Sequence, residues 1–286
     1  MTPRSVAAAA LIRLPPGVRR RILHRTGRFA PWEEQFDMTP PPLAPGEAAG
    51  PPDFVGIGVQ KAGTTWWHGL VMSHPGVWSR PDIHKERHVL SRYGNAPFGP
   101  DDVARYYGWF PRGAGTITGE WTPDYVAYPW VPEILARAAP DARLLVLVRD
   151  PIERFRSGLA HLLREGAPRR AATTAEAVER GFYHRALVPW WERFGKDRVL
   201  VLQYERCVAD PAGNLAATYR FLGLDPGHRP ATLQRPVSVT GDAKIALDPE
   251  VRRRLADLYA DDVSNLAAAV EGLDLRLWAD FAGVAS

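Results

Sequence analysis

Three short apolar runs constrain the fold of this chain more than any other feature. They are FVGIGV (54–59), ARLLVLV (142–148) and RVLVLQY (198–204). Continuous apolar runs of this length, bounded by polar or turn residues, are typical of parallel strands buried on both faces. Helical patterns follow at Thr64–Ser73, Ile152–Arg164, Ala209–Leu222 and Asp248–Glu271. This alternation predicts an α/β fold with a parallel central sheet flanked by helices.

The domain organisation follows from composition. Residues 1–52 are basic and then rich in Pro and Gly, and we expect them to form a flexible leader. No linker or repeat interrupts the rest, so residues 53–286 are expected to form a single domain. With 45% hydrophobic residues among 286, the chain can bury a substantial core.

Charge and cysteine content narrow the partners and the compartment. The net charge of +4 comes from 36 basic and 32 acidic residues, a balance that predicts no nucleic-acid partner but suits small anionic ligands. The single Cys207 excludes an intramolecular disulfide and favours a reducing compartment. The N-terminal apolar run Val6–Ile12 is far shorter than the roughly 20 residues of a spanning helix. Contact with an anionic membrane surface is one interpretation of the basic segment Arg13–Arg25, but we favour a solvated arm and expect a soluble cytoplasmic protein.

The loop after the first run, within GIGVQKAGTTWW (56–67), has the composition of a phosphate-binding loop. Gly56 and Gly58 are expected to let the backbone approach a ligand, and Gly63 permits a left-handed turn. A Walker loop places its lysine directly after the last glycine, whereas Lys61 precedes Gly63 here. An ordinary strand-to-helix turn with a surface lysine is the alternative interpretation.

Two threonines open the helix that follows this loop. Thr64 and Thr65 stand where free backbone N–H groups and the positive end of the helix dipole favour an anion. Lys61 adds a mobile cation. Together these groups predict a phosphate site at the carboxyl end of the first strand, where ligands bind in such sheets.

The loop after the second run repeats the arrangement in LLVLVRDPIERFRSGLAH. Arg149 stands at the end of the strand, and Ser157 lies about two turns into the next helix. A guanidinium and a hydroxyl in these positions predict a second phosphate site. The alternative is a helix capped or ion-paired by Asp150 or Glu153.

Taken together, QKAGTTWW and RDPIERFRSG resemble the paired nucleotide signature of sulfotransferases that use 3′-phosphoadenosine-5′-phosphosulfate (PAPS). The resemblance extends from about Phe54 to Leu266 and is closest to the branch that contains heparan sulfate sulfotransferases and bacterial relatives. Lys85–Leu90, Gly119–Tyr125 and Gly181–Tyr183 match further segments of that branch. The resemblance implies a P-loop-like sulfotransferase fold, PAPS as sulfuryl donor and no required metal. It assigns donor binding to Gln60, Lys61, Ala62, Gly63, Thr64, Thr65, Arg149, Ser157, Phe182, Tyr183 and Gly241.

The same resemblance implies catalytic roles. Glu86 matches the glutamate that serves as general base, and Lys61 stabilises the charge on the departing nucleotide. His88 lies two residues after Glu86 and faces the same side if the segment is extended, so it orients the acceptor or shares the proton. Glu120 and Trp121 fall on the acceptor side, although Glu120 equally suits a structural ion pair.

Two departures from the family pattern bear on the acceptor. Trp121 replaces a lysine of the family, and VTGDAK (239–244) retains Gly241 and Lys244 where the family shows a more basic loop. This loss of cations argues against a polyanionic glycan. The tryptophans crowded into one half of the chain favour an aromatic or apolar acceptor. The sequence does not decide among small-molecule, glycan and glycolipid acceptors.

Two other functions compete with sulfuryl transfer to a hydroxyl or amine. One is a non-catalytic nucleotide-binding module, which would bind the donor without turnover. The other is an atypical small-molecule kinase, which would need a Mg²⁺-dependent ATP site for which the sequence offers no convincing acidic partner.

Overall fold

The structure is a computed structural model that describes residues 18, 39–94, 96–164, 166, 171–233 and 245–283. Its centre is a sheet of four parallel strands in the order β4-β2-β5-β6. These strands are β2 (Phe54–Gly58), β4 (Gly119–Trp121), β5 (Arg143–Val148) and β6 (Val199–Gln203). The three strands predicted from apolar runs are confirmed to within one residue at each end. The edge strand β4 was not predicted, because three residues are too few to show a strand periodicity.

Helices flank this sheet, as predicted. The helices of the described residues are α1 (Thr64–Met72), α2 (Pro100–Tyr107), α3 (Val131–Ala138), α4 (Pro151–Arg164), α5 (Ala171–Glu179), α6 (Tyr183–Phe194), α7 (Tyr204–Ala209), α8 (Pro211–Leu222) and α9 (Pro249–Ala269). The four predicted helices are α1, α4, α8 and α9. Asp210 and Asp248 start the last two, since each carboxylate accepts an N–H of the first turn.

The core lies on both faces of the sheet. Every residue of β5 after Arg143 is fully buried, which is what its continuous apolar run requires. α1 is fastened to α8 by Trp67, whose indole N–H donates to Thr218 Oγ1 at 3.2 Å. Asp262 on α9 accepts the backbone N–H groups of His184 and Arg185 at 2.9 Å each, which holds the start of α6.

Part of the predicted leader packs against the domain. β1 (Ala48–Ala49) pairs antiparallel with β3 (Pro111–Arg112). Glu47 accepts the indole N–H of Trp78 and a guanidinium N–H of Arg80, both at 2.9 Å. Residues 47–49 of the predicted leader thus contact the rest of the described chain, and residues 1–17 and 19–38 lie outside the described residues. None of the helices in the described ranges is long and apolar enough to cross a membrane.

Candidate active site

Four parallel strands end at one edge of the sheet, and the residues that follow them form the candidate site. Gln60 to Gly63 follow β2, Thr122 to Asp124 follow β4, Arg149 and Asp150 follow β5, and Tyr204 follows β6. The carboxyl edge of a parallel sheet is the usual ligand position in α/β proteins, because helices begin there. The two predicted phosphate loops therefore lie on the adjacent strands β2 and β5.

The first loop makes the left-handed turn predicted for it. Lys61 and Gly63 have φ angles of 69° and 87°, and α1 begins directly afterwards. The first turn of α1 contains no acidic residue and receives no side-chain cap at Gly63. The first N–H groups of a helix have no partner within it, so those of Thr64 and Thr65 point into the loop. The loop therefore combines N–H donors, hydroxyls and a lysine, and within it the N–H of Ala62 donates to Val59 O at 3.2 Å.

Two glycines of this segment serve the core rather than a ligand. A Cβ on Gly56 would stand within 2.6 Å of three atoms of the Trp121 indole, and one on Gly58 would lie 2.8 Å from Val126 Cγ1. The expectation that these glycines admit a ligand is therefore wrong. They make room for side chains that pack over β2.

The second loop is tied to the first. A guanidinium N–H of Arg149 donates to Lys61 O at 3.3 Å, and the guanidinium lies 4.9 Å from the Tyr204 ring centre. The same ring blocks a Cβ on Gly63, at 2.7 Å, so Tyr204 packs between the two loops. The Tyr183 hydroxyl donates to Arg149 O at 2.8 Å. Arg149 is thus held from both sides beside the first loop.

The helix after Arg149 is capped as the alternative interpretation allows. Asp150 accepts the N–H groups of Ile152 and Glu153 at 2.9 and 3.1 Å, and burial raises the pKa of its carboxyl to about 6. Capping by Asp150 and phosphate binding by Arg149 do not exclude each other, because the two side chains have separate partners. Ser157 lies on α4, half-buried, about two turns after Arg149.

Phe182 and Tyr183 start α6 in different surroundings. Phe182 is half-buried, with its ring 5.0 Å from that of Tyr259 and 4.3 Å from the Arg185 guanidinium. Tyr183 is buried, which raises the pKa of its hydroxyl well above the usual value. With its hydroxyl bound to the Arg149 carbonyl, Tyr183 positions the second loop, while Phe182 keeps an exposed part of its ring.

The segment that carries Glu86 and His88 is not extended. Both residues are left-handed, with φ angles of 63° and 53°, so the expectation that they face the same side by strand alternation is wrong. The N–H of Glu86 donates to Trp121 O at 3.2 Å, which attaches the segment to the end of β4. The Glu86 side chain is 45% exposed and forms an ion pair with Lys85. The candidate base thus stands at the rim of the site.

Glu120 and Trp121 are both fully buried, which contradicts an acceptor-side position. The Glu120 carboxylate accepts the hydroxyls of Tyr106, Thr122 and Tyr125 at 2.9, 2.8 and 3.2 Å. The Trp121 indole N–H donates to Gly58 O at 3.1 Å. Glu120 takes the structural role that the sequence left open, although through hydroxyls rather than a direct ion pair.

Two side chains near the loop were missed from the sequence. Lys85 Nζ donates to Thr64 Oγ1 at 3.4 Å, and its side chain is only 14% exposed. His68 lies one turn after Thr64 on α1, and burial together with the charges of Lys85 and Arg87 lowers its pKa to about 3. The spacing from Thr64 to His68 and the adjacency of Lys85 to Glu86 were the available signals.

The tryptophans that suggested an aromatic or apolar acceptor mainly fill the core. Trp66, Trp67 and Trp121 are all buried. The Trp130 indole N–H donates to Leu90 O at 3.2 Å and its ring stacks on Tyr128. The remaining predicted site residue, Gly241, lies with Lys244 outside the described residues.

Comparison with known proteins agrees with the resemblance in the motifs. Residues 121–227 match the model of the Sulfotransferase family. Heparan sulfate glucosamine 3-O-sulfotransferase 3B1 of Mus musculus is 32% identical over 188 residues, covering 60% of this chain and 46% of that enzyme. Heparan sulfate glucosamine 3-O-sulfotransferase 6 of Homo sapiens is 32% identical over 204 residues, covering 64% of this chain and 57% of that enzyme. The chain thus spans about half the length of the curated relatives it matches.

The fold agrees as well. The crystal structure of a sulfotransferase from Alicyclobacillus acidocaldarius superposes with a TM-score of 0.64 at 24% identity, covering 79% of this chain and 98% of that one. The predicted P-loop-like α/β fold is therefore confirmed. From Trp121 to Gly227 the sequence matches the Sulfotransferase family, and the fold is similar to that of a solved sulfotransferase.

Proposed function

We propose that this protein is a PAPS-dependent sulfotransferase that moves a sulfuryl group to a hydroxyl or amine acceptor. The observation that carries the proposal is the junction of the two loops, where Arg149 donates to the carbonyl of Lys61. This contact holds an arginine of the second phosphate site beside the lysine of the first. A donor with a 5′-phosphosulfate and a 3′-phosphate would use both.

The residues at this junction fit such a donor. Lys61, Thr64 and Thr65 offer an ammonium, two hydroxyls and helix N–H groups to the phosphosulfate, and the first turn of α1 carries no carboxylate to repel it. Arg149 and Ser157 would hold the 3′-phosphate, with Tyr183 positioning Arg149. The partly exposed ring of Phe182 offers a surface on which an adenine could stack.

The chemistry assigned to these residues is an in-line displacement at sulfur. The acceptor oxygen or nitrogen forms a bond to sulfur while the bond from sulfur to the 5′-phosphate oxygen breaks. Glu86 takes the acceptor proton, and the electron pair of the broken bond leaves on 3′-phosphoadenosine-5′-phosphate (PAP). Lys61 and the N-terminus of α1 stabilise the charge that develops on the leaving oxygen.

An acceptor reaches this site at the exposed rim where Glu86 stands. Two similar enzymes are named as 3-O-sulfotransferases of a heparan sulfate glucosamine, which favours a hydroxyl over an amine for this chain. Burial of Trp66, Trp67 and Trp121 weakens the tryptophan argument for an apolar acceptor. We therefore place a sugar hydroxyl first among acceptors, ahead of a glycolipid or a phenol.

Binding of PAP tests the donor site without knowledge of the acceptor. Titration calorimetry of the wild type with PAP should show saturable binding, and Lys61→Ala should weaken it at least about tenfold, the loss expected of a charged contact. Lys196→Ala is the matched control, because Lys196 lies before β6 at the opposite edge of the sheet. A wild type that does not bind PAP, or that binds only ATP with Mg²⁺, would overturn the proposal.

Turnover is measured with ³⁵S-labelled PAPS and three acceptors: heparan sulfate, 4-nitrophenol and glucosylceramide. Glu86→Gln should retain PAP binding and lose about 10²–10⁴-fold in kcat, the usual contribution of a general base. Binding of PAP without turnover on any acceptor or with water would instead identify a non-catalytic nucleotide-binding module.

A further inference from the structure

Lys85 lies between Thr64, in the loop proposed to bind the donor, and Glu86, the candidate base. Its ammonium donates to Thr64 Oγ1 at 3.4 Å and pairs with the Glu86 carboxylate. Thr64 is the first residue of α1, in the loop proposed to hold the phosphosulfate. An ammonium with one donor toward each neighbour has a third N–H left for another acceptor.

The surroundings of Lys85 differ from those of an ordinary surface ion pair. The Lys85 side chain is 14% exposed, while that of Glu86 is 45% exposed. Burial lowers the pKa of Lys85, although the charges of Glu86 and Asp124 oppose the shift. A partly desolvated cation interacts more strongly with charge that develops nearby than a solvated one.

The choice of lysine is itself informative in this chain. Lysine and arginine together number 36, but only four are lysines: Lys61, Lys85, Lys196 and Lys244. An ammonium is a compact charge on a flexible stem, whereas a guanidinium is a broad planar fork. An ion pair with the exposed Glu86 could be formed by lysine or by arginine, and most basic residues of this chain are arginines. In this chain a lysine, with its compact charge, bridges Thr64 Oγ1 and the Glu86 carboxylate.

The segment reaches this place because the backbone of Glu86 binds that of Trp121. The N–H of Glu86 donates to Trp121 O at 3.2 Å, so the residues around Lys85 run beside the end of β4. The indole of Trp121 meanwhile packs inward over Gly56 and presents no polar group to the loop. Lys85 is thus placed to supply, from a neighbouring segment, a positive charge that Trp121 does not.

We propose that Lys85 is a further catalytic residue, whose ammonium contacts the sulfuryl group during its transfer from the Thr64 side of the site to the acceptor at Glu86. This inference rests on the proposed sulfotransferase function and deepens it. Lys61 stabilises the departing phosphate oxygen, and Lys85 neutralises the sulfuryl oxygens between the departing and attacking atoms. No proton transfer is assigned to Lys85.

Lys85→Met tests this role, since methionine keeps an unbranched stem and removes the charge. With ³⁵S-labelled PAPS and the best of heparan sulfate, 4-nitrophenol and glucosylceramide, kcat should fall about 10²–10³-fold, the range for loss of one transition-state donor. Binding of PAP should stay within about threefold of the wild type, because PAP lacks the sulfuryl group, whereas Lys61→Met should weaken it. Lys85→Arg keeps the charge and should restore kcat only in small part, because a broad planar guanidinium does not reproduce the compact contact of an ammonium. Lys196→Met is the control for the loss of a lysine.

The outcomes separate this inference from the proposed function. Where no acceptor reacts, hydrolysis of PAPS to PAP and sulfate is the readout, with water as acceptor. An active wild type with Lys85→Met within about threefold in kcat overturns the role of Lys85 alone. Full activity of Lys85→Arg would mean that Lys85 is only a salt-bridge partner of Glu86, and it would also overturn the proposed catalytic role of Lys85. A wild type without PAP binding or turnover overturns the proposed function, and this inference with it.

Discussion

Gly56→Ala tests whether a residue of the nucleotide-loop signature is there for the core. Gly56 and Trp121 are paired in register on the neighbouring strands β2 and β4. The indole of Trp121 lies flat over Gly56, and a Cβ added there would stand within 2.6 Å of three ring atoms. Since a Cβ needs about 3.4 Å or more from such atoms, the ring or the strand must move by roughly 1 Å.

The cost of that movement is set by burial. Trp121 is fully buried and its indole N–H is bonded to Gly58 O, so the ring has no free space into which it can turn. Overpacking a well-filled core costs about 1–3 kcal/mol, and we expect the upper end, about 3 kcal/mol, because the obstacle is a rigid ring system. At roughly 2–4 °C per kcal/mol for a domain of this size, Tm should fall by about 6–12 °C.

The measurement is urea denaturation followed by tryptophan fluorescence, with Tm from calorimetry. Gly69→Ala is the matched control, because Gly69 lies on the exposed side of α1 and a Cβ there meets no atom within 4 Å. That control should be stabilised by about 0.5–1 kcal/mol through helix propensity alone. A free energy of unfolding for Gly56→Ala within 0.5 kcal/mol of the wild type would refute the packing argument. It would favour the earlier expectation that Gly56 lets the backbone approach a ligand.

Three further substitutions follow from the site. Glu120→Ala leaves three buried hydroxyls without their acceptor and the half-buried Arg87 without its neighbouring negative charge, so urea denaturation should show a loss of about 3–5 kcal/mol. A loss below 1 kcal/mol would contradict the structural role. Tyr183→Phe removes the hydrogen bond to Arg149 O and should cost about 1 kcal/mol while weakening PAP binding severalfold by calorimetry; unchanged PAP affinity would mean that Tyr183 only packs. Burial raises the pKa of Asp150 from 3.8 to about 6 in the folded protein. Between pH 4 and pH 6 the folded state therefore keeps a proton on Asp150 that the unfolded state has lost, and the folded state becomes less stable as pH rises through this range. Asp150→Asn should flatten that fall by up to about 3 kcal/mol in thermal denaturation from pH 4 to 7, and an unchanged profile would show that the carboxyl is not buried as described.

The fold was predictable where one segment carried the whole signal. The runs that became β2, β5 and β6 are almost continuously apolar because most of their residues are buried, and Asp210 and Asp248 stand before proline at the starts of α8 and α9. β4 was missed because its three residues include Glu120, whose burial depends on hydroxyls from other segments. A short strand with an internal carboxylate has no local signature.

The position of the two loops was predictable, but the side-chain directions around them were not. The rule that ligands bind at the carboxyl ends of parallel strands located both loops, and their juxtaposition at Arg149 and Lys61 agrees with it. Side-chain direction was not predictable, because alternation applies only to extended backbone. Glu86 and His88 adopt left-handed angles where the chain turns to bind Trp121 O. Hence Lys85, rather than His88, became the notable neighbour of Glu86.

A missing motif cation is informative about the acceptor only if no other segment brings a cation to the same place. Trp121 replaces a family lysine, and read along the sequence this substitution argues against an anionic acceptor. In space, the segment bound to the carbonyl of Trp121 carries Lys85, and the Lys85 ammonium reaches Thr64 Oγ1. The indole of Trp121 fills the core over Gly56, and the Lys85 ammonium comes from the neighbouring segment. Because Lys85 brings a positive charge to Thr64, Trp121 by itself is no argument against a sulfated or carboxylated sugar as the proposed acceptor.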